Sequence, residues 1–99
     1  MITPSDLINY DIKRIDFKSL EKQIDNSIIE HHGLYPYEWA QLDKEYSVEV
    51  RDIIGKKYKE NGWNFVYHRT SSENNDSTGI TSFIFSTKEV DYIHNYHKI

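Results

Sequence analysis

A chain of 99 residues has the usual size of one domain and is too short for two independent cores. Twelve basic against sixteen acidic side chains give a formal charge of −4, with no basic run to follow a phosphate backbone, so general nucleic-acid binding is not expected. Cys is absent, which excludes disulfides and thiolate metal sites, and no apolar run is long enough to cross a bilayer.

The chain opens on a helix start. Thr3 can cap, Pro4 suits the first helical position and Asp6 faces the positive end of the dipole, so a short helix carrying Leu7, Ile8 and Tyr10 is predicted. Asp16 caps a second and longer helix. Phe17, Leu20, Ile24 and Ile28 recur at spacings of three and four along it, while Lys18, Glu21, Lys22 and Asp25 take the wet face. His31 and His32 suit its C-terminal dipole, and Gly33 stops it, with Pro36 just beyond. Residues 34–46 read as a loop, or as a helical turn opened by Pro36. Ser47 then caps another main helix whose apolar face is Val50, Ile53, Ile54 and Tyr58, ended by Gly62.

After Gly62 the period changes to two. Trp63, Phe65 and Tyr67 alternate with Asn64, Val66 and His68, a strand pattern. Residues 70–79 are polar throughout and predict a mobile loop. Residues 80–86 return to strand, with Phe83 and Phe85 on one face and Ile84 on the other. Thr87 can cap a last short helix with Val90, Ile93 and His97 on one side, Tyr92 and Tyr96 on the other. The expected fold is therefore α+β over residues 1–99 as a single domain: two main helices packed on an antiparallel β-hairpin, with short N- and C-terminal helices. The helices cover one face of the hairpin. The face carrying Val66 is left open or meets the C-terminal helix. Unpaired hairpin edges invite strand addition, so a homodimer is among the expected partners.

Chemistry-bearing residues are few. His94 and His97 would share a helix face, yet a metal site would need His31, His32 or Asp91 besides, and that spacing is a weak signal, so neither metal nor cofactor is expected. His68, Arg69 and Thr70 end a strand, with Glu73 close behind. A base, a cation and a hydroxyl there could serve a small ribonuclease or phosphodiesterase centred on His68. No second His or Lys is placed as the acid, and phosphate loops, nucleophile elbows and paired-carboxylate motifs are absent. Tyr35, Tyr37 and Trp39 crowd three aromatics into five residues. Trp39 is expected to fill the core between the two main helices, and the tyrosines either to join it or to anchor a partner. The candidate binding residues for a protein or ligand are Tyr35, Tyr37, Trp39, His68, Arg69, Thr70 and Glu73. A nucleotide is the alternative ligand, stacked on aromatics beside Arg69 or Lys88.

Thirteen Ile, nine Lys, seven Asn and eight Tyr against one Ala, four Gly and two Pro are the usage of an AT-rich genome. Tyr46, Ser47, Val48, Glu49, Val50, Ile53, Tyr58, Asn61, Gly62, Trp63, Asn64, Phe65 and Val66, followed by residues 80–86, place a helix, a Gly–aromatic step and a hairpin in succession. This layout resembles small accessory proteins of tailed bacteriophages. The resemblance implies a non-enzymatic early protein that binds and inhibits or redirects a host protein, including an antiviral-defence protein, or that sequesters a nucleotide signal. It implies a cytoplasmic location in the infected cell, which fits an amino terminus without a signal-peptide pattern.

Overall fold

The computed structural model describes residues 1–72, 79–91 and 93–99. Three helices, α1 (Pro4–Lys13), α2 (Phe17–His31) and α3 (Val48–Glu60), accompany four strands, β1 (Glu38–Leu42), β2 (Phe65–Ser72), β3 (Gly79–Ser86) and β4 (His97–Lys98). The class is α+β.

Each helix starts where a side chain can satisfy its free N–H groups. Thr3 and Asp6 form a reciprocal capping box, Asp16 Oδ1 accepts from Ser19 N at 3.2 Å, and Ser47 Oγ accepts from Val50 N at 3.4 Å. Gly33 and Gly62 follow α2 and α3 with φ of 87° and 108°, the left-handed stops that a residue with a side chain adopts only at a cost.

The strands form one antiparallel sheet in the order β1-β3-β2-β4. Since β1 and β2 both run against β3 between them, they are parallel to each other, and α3 carries the chain from one to the other. This is a split β-α-β arrangement. Two expectations are corrected here. Residues 38–42 form a strand rather than loop or helical turn. The described residues from 87 to 99 contain no helix, and their regular structure is β4, which pairs with β2 through Tyr67↔Lys98 and His68↔His97. The predicted loop also shrinks at both ends, because residues 70–72 and 79 lie in strands; residues 73–78 lie outside the described residues.

Register decides which side chains meet. Ala40, Phe83 and His68 stand in one row, and Phe85 pairs with both Glu38 and Val66, so these residues share a face. That face meets the helices: Leu20, Ile24, Val50 and Ile54 pack on Ala40, Leu42, Val66, Phe83 and Phe85. Val66 is thus in the core, and the face it belongs to is the covered one, contrary to expectation. Phe83 and Phe85 are fully buried and stack at 5.8 Å; each such burial contributes about 1.5–3 kcal/mol. The outer face carries Trp39, Ile84 and Tyr67 in one row, so Trp39 does not lie between the main helices. Residues after β3 cross this face: Ile93 to Tyr96 border Ile84, and Lys88 to Asp91 border Ser86. No helix among the described residues is long and apolar enough to cross a membrane.

Hydrogen bonds tie the layers together. Gln41 N at the open edge of β1 donates to Ser27 Oγ of α2 at 3.0 Å. Buried Thr81 donates to Lys44 O at 2.8 Å and accepts from Tyr46 N at 3.0 Å, fixing the β1–α3 connection.

Candidate functional site

The sequence candidates divide between the two faces of the sheet. His68 and Thr70 occupy the helix-covered face, paired with Phe83 and Thr81, while Arg69 between them faces outward, paired with Ser82. The pleat therefore gives His68 and Arg69 no common surface on which to act as a base and a phosphate-holding cation. Glu73 lies outside the described residues.

His68 is 4% exposed and Arg51, from α3, is 6% exposed. Arg51 Nη1 donates to His68 Nδ1, and Arg51 Nε donates to Tyr46 O at 3.0 Å. An arginine only donates, so Nδ1 is the lone-pair nitrogen and Nε2 carries the proton. Nε2 faces Asp52 Oδ1 at 3.9 Å, and the exposed His97 ring lies 6.0 Å away. Burial, then the neighbouring guanidinium, pushes the His68 pKa down from 6.5 to about 4. This imidazole is a neutral, sequestered acceptor. Arg51 is a partner that the sequence reading passed over. The signal was present, since position 51 falls one turn from Ser47 and from Ile54, within the helical stripe that points at the sheet.

The aromatic candidates gather at the corner where α2 ends and β1 begins. Tyr35, Tyr37 and Trp39 follow a period of two. Tyr35 and Tyr37 stack with centroids 5.3 Å apart and planes within 4°, and Trp39 meets Tyr35 edge-on at 6.3 Å. His31 closes the other side of Trp39 at 4.5 Å, its Nδ1–H donating to Ser27 O at 2.7 Å. His31 is therefore a packing residue, and His32 reaches Glu38 at 2.8 Å. Tyr35 is 47% exposed, as are Leu34 at 66% and Ile29 at 73% nearby in the chain.

Arg69 and Tyr37 come together on the outer face. They line a recess of about 220 Å³ with Ile84, Ile93, His94, Asn95 and Tyr96. The Arg69 guanidinium stands 4.8 Å over the Tyr96 ring, and among the described residues it has no hydrogen bond or ion pair; its Nε is buried without an acceptor. His94 thus belongs to this recess while His97 sits in β4, so the two do not share a helix face. No group of three or more metal-ligating side chains occurs among the described residues. His94, Asn95 and Tyr96 became neighbours of Arg69 only through the return of the chain across the sheet, which no local pattern announces.

Comparison with known proteins finds no match, whether to a family model, to a curated sequence or to a solved structure.

Proposed function

We propose that this chain is a non-enzymatic binding protein of the phage accessory type, which docks on a host protein in the cytoplasm through the α2–β1 corner and inhibits or redirects it. The observation that carries this reading is the exposure of Leu34 and Tyr35 beside a rigid aromatic row. Large apolar side chains left in water at a place already stiffened by stacking are what a protein interface uses as anchors, since little conformational freedom remains to be lost on binding. The seclusion of His68 supports the non-enzymatic part, because a neutral imidazole already engaged by Arg51 has no access to a substrate on either surface.

Leu34→Ser combined with Tyr35→Ala tests the reading, as both residues are exposed and their loss leaves the core intact. Immobilised wild-type protein should retain one stoichiometric partner from bacterial host lysate, and the double variant should bind the purified partner at least about tenfold more weakly. Failure to retain any stoichiometric partner, or equal affinity of the variant, refutes it.

A further inference from the structure

We propose that the recess beside Arg69 binds a nucleoside monophosphate, its phosphate on the guanidinium and its base against the flanking aromatic rings. The first argument is charge. Arg69 is partly buried, and a buried N–H normally meets a carboxylate, a carbonyl or water, because without one it loses hydration without return. Among the described residues, Arg69 has only the Tyr96 face beneath it, its Nε–H finds no acceptor, and no carboxylate lines the recess. An anion in the recess would give this N–H its acceptor and balance the charge, and the planar fork of Arg matches a phosphate with two parallel hydrogen bonds.

The second argument is shape and lining. Ile84 and Ile93 are the apolar members, Tyr96 and Tyr37 the aromatic ones, and Asn95 with His94 presents polar groups at the exposed rim. Tyr37 is also one member of the parallel pair with Tyr35, so its ring is held in place. Rings beside a cation suit a base joined to a phosphate, and an amide at the rim can read the base edge. About 220 Å³ is below the ordinary range for enclosing a whole drug-sized ligand, roughly 300–1,000 Å³, which favours a single nucleotide partly exposed over anything longer. A polynucleotide is disfavoured by the formal charge of −4 as well. The recess adjoins the docking corner through Tyr37, while neither Leu34 nor Tyr35 lines it.

The chain holds three arginines, Arg14, Arg51 and Arg69, so its arginine Nε–H signals in a nitrogen–proton correlation spectrum are few and assignable. Adenosine monophosphate should move the Arg69 signal, identified by its loss in Arg69→Lys. Inorganic phosphate should compete, and adenosine should bind at least about tenfold more weakly than the monophosphate. Arg69→Lys keeps the charge and loses the fork, and Tyr96→Leu removes the ring beneath it; each should weaken binding at least about tenfold while the backbone spectrum stays dispersed. The proposal is overturned if the monophosphate leaves the Arg69 signal in place, or if whichever variant folds binds as the wild type does. It is equally overturned if inorganic phosphate binds as tightly as the monophosphate, since the rings then contribute nothing.

Discussion

His68 shows how a residue's type can be plain in a sequence while its environment is not. A histidine at a strand end, beside Arg and Thr, is legible in the sequence as a titratable group. Its burial was not legible, because which face of β2 turns inward is decided by the helices that pack on it, and Phe65 and Tyr67 compete for that side with Val66 and His68 on equal terms. Once buried against Arg51, the imidazole resists protonation, and this has a thermodynamic consequence. The folded pKa of about 4 lies below the unfolded value of 6.5, so within that window the unfolded chain binds the extra proton. The contribution is fully present above pH 6.5 and is lost as the pH falls toward 4. His68→Gln keeps an acceptor for Arg51 and removes the titration. Between about pH 7.5 and 4.5 the wild type should lose about 2–3 kcal/mol more stability than this variant in denaturant titrations. Parallel losses in the two proteins would mean that His68 protonates freely in the folded state.

At the level of elements, α2 and α3 were legible because cap and stop agree with the stripe, Asp16 with Gly33 and Ser47 with Gly62, although Ile53 of the expected α3 face is exposed and Arg51 and Gly55 are buried instead. β1 was not, for a physical reason. Its inward row is Glu38, Ala40 and Leu42 and its outward row Trp39 and Gln41, so neither face is uniformly apolar and five residues give no clear period. What makes it a strand is the edge of β3 on one side and α2 on the other. The segment after β3 misled in the opposite sense: Val90 and Ile93 sit at helical spacing, but Ser86 Oγ accepts from Lys88 N at 3.1 Å in a tight turn, and the chain is drawn across Ile84 instead. Ser27, whose hydroxyl accepts the outward Gln41 N–H, is the test of how α2 holds β1. Ser27→Ala leaves that donor beside an apolar group and should cost about 1–2 kcal/mol, read as a lower denaturant midpoint with an unchanged slope. Amide exchange should accelerate at Gln41 and remain slow at Phe83 in the sheet interior. An unaltered Gln41 rate would show that α2 does not protect this edge.

On the scale of the whole molecule, the end of the chain binds the two sides of the sheet to each other. Residues 93–96 border the outer face, β4 lies in the plane of the sheet against β2, and Ile99 turns to the helix side. There its N–H donates to Val66 O at 2.8 Å, Lys59 Nζ donates to its carbonyl at 2.9 Å, and its side chain lies against Gly55. Glycine inside a helix ordinarily costs about 1 kcal/mol relative to alanine, so its presence in α3 asks for a reason. The reason is space: a Cβ at position 55 would overlap the Ile99 side chain, and β4 with the recess behind it is held partly through that seat. The two residues must therefore be coupled. Gly55→Ala alone should gain helix propensity but unseat Ile99, giving a net loss of about 0.5–1 kcal/mol. In an Ile99→Ala background the obstruction is gone, and the same substitution should stabilise by about 0.5–1 kcal/mol. The sign reversal, a coupling of about 1–2 kcal/mol in a double-mutant cycle, is the measurement that decides it. Additive effects within a few tenths of a kcal/mol would mean that the seat at Gly55 does not hold the chain end, and that the recess on the outer face owes its shape to the sheet alone.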